Sequence, residues 1–288
     1  MHTNHDVDVL GLRLRNPVVV GSGLLTDQAR NIRRLLEVGA GAVVTKTIHP
    51  SPPRDLDERI LRLPTGMLNS TTYSKRPVDE WLGYLRDFAA DALPVIASVH
   101  ADHPAELGEL AAAVADTGCG ALELGISCLN EEDGLEDTPE RVFAYASAAR
   151  AATAIPFSVK LAVGEGLRDR ALAALEGGAT ALSISDTIPA AAVAAGGGLE
   201  LGGVFGYSGP GIKPLVLGAI WALRESGVSA PVLGIGGVQS ARDVQDYLAV
   251  GARVAQVYTA LHTDMYGTLD RIVRDVAALP GAAAEVVR

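Results

Sequence analysis

The chain has 288 residues, a formal net charge of -10, 48% hydrophobic residues and only 5% aromatic ones. That length holds one large domain or two small ones around an aliphatic core, and the acidic balance excludes a general binder of nucleic-acid backbone while leaving room for a local basic site for a small anion. Two cysteines, Cys119 and Cys128, give no disulfide framework; no segment reads as a signal core or a membrane span, so a soluble cytoplasmic protein is expected.

Eight strand-like runs follow one another along the chain: VVVGSG (18–23), AVVTKTI (42–48), PVIASVH (94–100), ALELGIS (121–127), PFSVKLAV (156–163), ALSISD (181–186), PVLGIGG (231–237) and RVAQVYTAL (253–261). Most are nearly continuous Val, Ile and Leu, which suits parallel strands covered on both faces. Amphipathic segments lie between them, among them DQARNIRRLLEVG (27–39), PAELGELAAAVADTG (104–118), SARDVQDYLAVG (240–251) and MYGTLDRIVRDVAALPG (265–281). A punctuation repeats in VGAGAVV, TGCGALEL, GGATALS and VGARVAQV: a helix ends on Gly and a strand begins one or two residues later. Gly there can take the left-handed C-cap conformation. Eight such units predict a (β/α)₈ TIM barrel, one domain over residues 1–288. A doubly wound open sheet is the alternative, but no G-x-G-x-x-G follows the first strand. Two connections are long, 49–77 and 188–213. Both leave C-terminal strand ends, where such barrels place their active sites.

The polar or special residues at those ends are Ser22, Lys46, Ser98, His100, Cys128, Lys160, Asp186, Thr187, Gly236, Gly237 and Thr259, with Asn69, Ser208 and Lys213 from the long connections. A lysine ending an apolar strand reads, alone, as a surface residue; two facing one mouth point to an anionic or electron-rich ligand. GIGGV after the seventh strand and VYTAL after the eighth suggest a phosphate site, where Gly lets the backbone approach closely and Ser240 can cap the next helix. For Cys128 two readings stay open, a packed thiol and a reactive group delivered to a pocket. The six histidines show no metal-ligand spacing, so no metal is expected; His262 reads as solvated. EEDGLED (131–137) lacks the order of a calcium loop and reads as a solvated acidic loop.

Taken together, Asn16-Pro17, SG, KT, GMLN, ISCxN, VKL, SDT, YSGPGIKP, GIGGV and QVYTAL resemble the dihydroorotate dehydrogenase family over about residues 16–261. The resemblance implies an FMN-containing barrel of the soluble, cysteine-base class, an oxidoreductase acting on a CH–CH bond. Cys128 would remove a proton from a substrate carbon while a hydride passes to flavin N5. Lys46 and Lys160 would lie by the flavin, with Ser22, Thr47 and Ser98 against the isoalloxazine. Gly209, Gly236, Gly237, Tyr258 and Thr259 would hold the ribityl phosphate. Asn69, Asn130 and Thr187 would meet the substrate, and EEDGLED would belong to a lid. The resemblance also implies a homodimer and leaves open an iron–sulfur/FAD partner subunit.

Departures accompany the resemblance. Gly125 and Asp186 stand where the family carries two substrate-binding asparagines, Leu129 replaces a Pro, and NSTTYSKRP replaces N-x-x-G-L-x-N-P-G. Gly125 deletes a hydrogen-bonding side chain, and an ionised Asp186 only accepts. The expectation is a small cyclic amide-like substrate other than dihydroorotate. The alternatives are a genuine dihydroorotate dehydrogenase of pyrimidine biosynthesis and a non-catalytic barrel that binds a phosphate ligand.

Overall fold

The structure, a computed structural model, describes residues 6–52, 57–130 and 137–279. It opens with a hairpin of β1 (Val7–Val9) and β2 (Leu12–Leu14), turned at Leu10 and Gly11 with φ of 50° and 71°. Two successive positive φ values match the twist of the flanking strands. Leu10 tolerates this conformation with its side chain buried in the apolar cluster beneath the barrel.

The barrel strands are β3 (Val18–Val20) and β4 (Ala42–Val44), then, after the hairpin β5 (Ile60–Leu63) and β6 (Gly66–Asn69), β7 (Val95–Val99), β8 (Leu122–Leu124), β9 (Phe157–Leu161) and β10 (Ala181–Ile184). After β11 (Ile188–Ala190) and β12 (Phe205–Ser208) come β13 (Val232–Ile235) and β14 (Val254–Val257). The eight close in parallel as β3-β4-β7-β8-β9-β10-β13-β14, and β14 pairs back onto β3 through Ala255↔Val18 and Val257↔Val20. Closure overturns the open-sheet alternative, because no barrel strand is left with an unpaired edge.

A helix follows each barrel strand: α1 (Ala29–Val38), α2 (Val78–Ala90), α3 (Pro104–Ala115), α4 (Pro139–Ala152), α5 (Leu167–Glu176), α6 (Lys213–Glu225), α7 (Ala241–Ala249) and α8 (Met265–Ala278). Among the αβ-turn glycines, Gly39, Gly118, Gly178 and Gly251 have φ from 86° to 135°, the conformation the sequence pattern requires. The two long connections are regular in part. They pair as one antiparallel sheet, β11-β12-β6-β5, joined across the barrel mouth by Gly206↔Asn69 and Ser208↔Met67. No helix among the described residues is long and apolar enough to cross a membrane.

Candidate active site at the barrel mouth

Side chains alternate in and out along a strand, so every second residue enters the barrel. Low in the barrel these are Val19, Val44, Ile96, Ala121, Ala181, Leu233 and Val254, sealed from below by Val9 and Leu14 of the hairpin. Two residues further along the same strands the interior turns polar: Lys46 after Val44, Ser98 after Ile96, Glu123 after Ala121, Ser183 after Ala181 and Gln256 after Val254. Glu123 is fully buried. Its Oε2 accepts from Ser183 Oγ at 2.6 Å and from Gln256 Nε2 at 2.9 Å, and Ser183 Oγ lies 3.0 Å from Ser158 Oγ. This polar layer, in which a carboxylate spans strands 133 residues apart, forms the floor of the site.

Above it lies a cavity of about 1220 Å³, open solvent at its mouth included. Every site residue picked out in the sequence lines it except Gly209: Ser22, Lys46, Thr47, Asn69, Ser98, Gly125, Cys128, Asn130, Lys160, Asp186, Thr187, Gly236, Gly237, Tyr258 and Thr259. Gly209 lies behind this wall; its carbonyl is 2.9 Å from where a Cβ on Gly237 would stand. Of the other strand-end residues, His100 and Lys213 do not line the cavity. His100 stacks between Tyr73 and Tyr145, and Lys213 pairs with Asp243 and, at 2.7 Å, with Asp246. His262 is half-buried edge-on to Tyr258 rather than solvated. Most of the expected acidic lid, residues 131–136, lies outside the described residues.

Three hydroxyls bridge the ends of neighbouring strands: Thr47 Oγ1 is 3.4 Å from Ser22 Oγ and 2.9 Å from Ser98 Oγ. Both lysines are buried among charges. Burial holds the Lys46 ammonium below the usual lysine range, against the pull of Cys128, Glu58 and Asp27. Burial works against Lys160 too, but Asp186 and then Glu123 overcome it and hold its pKa above the usual value. Lys160 Nζ sits 3.2 Å from Asp186 Oδ1, which also accepts the Thr187 N–H at 2.8 Å. Cys128 is half-buried, and both ammonium groups attract its thiolate. The thiolate is the form that takes up a proton. Asp137, hydrogen-bonded to Ser127, is raised above the usual carboxylate range by burial and also by the charge of Asp186.

The two asparagines hold the mouth together. Asn130 Nδ2 donates to Thr71 O at 2.7 Å and to Asn69 Oδ1 at 3.4 Å, and its Oδ1 accepts the Gly206 N–H at 3.1 Å. Asn69 Nδ2 donates to Gly206 O at 3.2 Å, and its Oδ1 accepts from Thr71 Oγ1 at 2.8 Å and Thr71 N at 3.3 Å. On the opposite wall is a glycine cradle. A Cβ on Gly237 (φ 71°) would stand 2.9 Å from Gly209 O, Lys213 Cβ and Pro210 Cα, and one on Gly236 (φ 132°) 2.9 Å from Ile212. Tyr258 packs so closely that a Cβ on Gly23 would meet its ring at 2.1 Å, and burial pushes its phenol up to about 12. A bare backbone concavity at one end, and lysines with hydroxyls at the other, are a donor set that would suit the phosphate and the ring of a flavin mononucleotide.

Sequence reasoning missed Glu123, Gln256, Asp137 and Thr71. Glu123 alone carried a signal, a charge inside an apolar strand. One group of three among the described residues could hold a metal ion: His49, His100 and Asp102, with ligand atoms within 4.8 Å of one another. Its hydrogen bonds oppose that use. His49 Nδ1 accepts the Ser51 N–H at 3.0 Å, which places the ring proton on Nε2, the atom facing Asp102 at 3.2 Å.

Residues 5–279 match the family model described as Dihydroorotate dehydrogenase. Proteins named dihydroorotate dehydrogenase B (NAD(+)), catalytic subunit, are similar: that of Pyrococcus abyssi is 31% identical over 94% of this chain and 92% of its own length, and that of Pyrococcus horikoshii 34% over 89% and 86%. The one from Methanocella arvoryzae is 32% identical over 88% of this chain and 86% of its own. Among solved structures, the dihydroorotate dehydrogenase of Eimeria tenella in complex with ferulenol superposes with a TM-score of 0.81 over 95% of this chain and 83% of its own, at 18% identity, a likeness of fold.

Proposed function

The chain belongs to the dihydroorotate dehydrogenase family and is an FMN-dependent oxidoreductase acting on CH–CH groups; from that premise we propose that it dehydrogenates a cyclic amide ring, with Cys128 as the base and residues 1–288 as one FMN-binding unit. The observation that carries this is the convergence of Cys128, Lys46 and Lys160 on one cavity with Asn69 and Asn130 at its rim. Bound FMN supplies the hydride acceptor. Lys46 and Lys160, with Ser22, Thr47 and Ser98, would face its ring, and Gly236, Gly237, Tyr258 and Thr259, backed by Gly209, its phosphate. Cys128 takes the proton from the substrate carbon as a thiolate favoured by the two ammonium groups. Asn69 and Asn130 orient the ring, and the β5–β6 and β11–β12 strands limit water at the mouth.

Dihydroorotate as the substrate is supported by the relatives' names, by Cys128 and by the two retained asparagines. A second reading, a ring other than dihydroorotate, is favoured by Gly125 and Asp186, which remove two amide contacts. The words "catalytic subunit" in the relatives' names support a partner subunit that takes the electrons onward; that this partner is of the iron–sulfur/FAD kind, and that the chain is a cytoplasmic homodimer, rests on the family resemblance alone, and the mass of the native assembly in solution checks the partner and the dimer.

The experiment is flavin reduction under anaerobic conditions. The purified protein carries FMN, and Cys128→Ala keeps it while reduction by substrate slows by about 10²–10⁴-fold, the usual contribution of a positioned base. An unchanged rate returns Cys128 to the packed-thiol reading. Wild-type kcat/KM on dihydroorotate above roughly 10⁴ M⁻¹s⁻¹ retires the second reading.

A further inference from the structure

Resting on the FMN site proposed above, we infer that Glu123, which stands outside the cavity wall, is a positioning residue: it is the buried counter-charge of Lys160, and it keeps the reduction potential of the bound flavin low. The register of the barrel brings the two side chains together. Glu123 is the cross-strand partner of Ser158, and Lys160 is the next inward-facing residue along β9, opposite Ser183 of β10. That same Ser183 donates to Glu123 Oε2 at 2.6 Å, so the carboxylate lies one layer below the ammonium. On the mouth side, Asp186 Oδ1 stands 3.2 Å from Lys160 Nζ. Lys160 is thus flanked by two carboxylates, one in the floor and one toward the mouth.

Hydrogen bonding in the floor does not account for a charge at Glu123. The residue is fully buried, its Oε2 takes both bonds, from Ser183 and from Gln256 Nε2 at 2.9 Å, and its Oε1 has no partner among the described residues. A glutamine would accept the same two bonds through its amide oxygen. A buried carboxylate with a bare oxygen is costly unless a cation answers it. Lys160 is that cation: burial opposes its ammonium, and Asp186 and then Glu123 outweigh the burial. Cys128 acts on Lys160 in the same sense, while Lys46 is a like charge nearby. Reduction adds negative charge to a flavin ring. An ammonium answered by two carboxylates favours that change less than one answered by Asp186 alone.

The test is Glu123→Gln, which keeps the size and the accepted bonds and removes the charge. In the apoprotein, acetylation of Lys160 by acetic anhydride at about pH 9, read by peptide mass spectrometry, should run several-fold faster, because more of the amine is neutral. In the FMN-loaded protein near pH 7, where Asp186 still pairs with Lys160, the flavin midpoint should rise by about 30 mV, an approximately tenfold change in a two-electron equilibrium. A glutamate that only packs the floor would change stability and neither of these. Either readout unmoved therefore overturns the inference. If Glu123→Gln does not fold, the exchange of Glu123→Gln with Gln256→Glu returns a carboxylate to the same layer. A midpoint at or below that of the wild type in this variant supports the inference, and one above it overturns it. A wild type that takes up no FMN defeats the proposed function, and the acetylation rate then decides whether Glu123 answers Lys160.

Discussion

At the scale of single residues, the site is a set of groups whose state depends on neighbours far away in the chain. Lys160 stays charged in a buried position because Asp186 and Glu123 outweigh its desolvation; Lys46, with weaker company, is pulled down. His100 shows the same physics without a counter-charge. Burial, against a hydrogen bond with Gly125 O at 3.0 Å, lowers its pKa to about 4 from the 6.5 of a free imidazole. Below pH 6.5 the unfolded chain takes up a proton that the folded one refuses. The neutral ring thus contributes stability in full above pH 6.5 and loses it as pH falls toward 4, up to about 3 kcal/mol. Urea unfolding across that window should show His100→Gln losing less stability on acidification than the wild type. Parallel pH profiles would mean that His100 is not the titrating group.

At the scale of elements, each barrel strand is short and apolar, and the chemistry sits where it stops. Two positive-φ glycines after β13 make the concave wall. Alanine at Gly237 would enter a left-handed conformation, costing about 1–2 kcal/mol, with its Cβ 2.9 Å from the Gly209 carbonyl. Gly237→Ala should weaken FMN retention by about tenfold or more while the far-ultraviolet dichroism stays that of the barrel, and equilibrium dialysis of FMN reads it. Full retention would remove Gly237 from the phosphate wall. The mouth sheet works differently. Asn69 and Asn130 tie β6, β12 and the Thr71 segment into one rim, so the residues proposed to meet the substrate are also clamps across the mouth.

At the scale of the whole molecule, the barrel is closed below by the β1–β2 hairpin and opened above into the cavity. Leu14, nearly fully buried, packs with Val19, Val44, Ile96 and Leu233 under the polar layer. Leu14→Ala should cost about 2–5 kcal/mol of stability by leaving a cavity, with kcat little changed, since the plug touches no mouth residue. A denaturation midpoint equal to that of the wild type would show the hairpin to be dispensable. By itself the sequence determined the eight βα units, through Val/Ile/Leu runs and turn glycines, and it named the strand-end residues Cys128, Lys46, Lys160 and Asp186, while Gly125 stood out only through the family resemblance. Those signals are local: burial on both faces demands continuous apolar runs, and an αβ turn demands a left-handed residue within one or two positions. Only the tertiary structure decided that the two long connections form one sheet, that Glu123 hangs between Ser183 and Gln256, that Asp186 takes Lys160 as its partner, and that Asn69 and Asn130 are largely spent on each other and on backbone. Apart from the local bonds of Asn69 with Thr71, the contacts that decide these points join residues 26 to 141 positions apart, from Lys160–Asp186 to Met67–Ser208. Barrel closure brings such pairs together, and no periodicity along the chain encodes which side chain will stand opposite which.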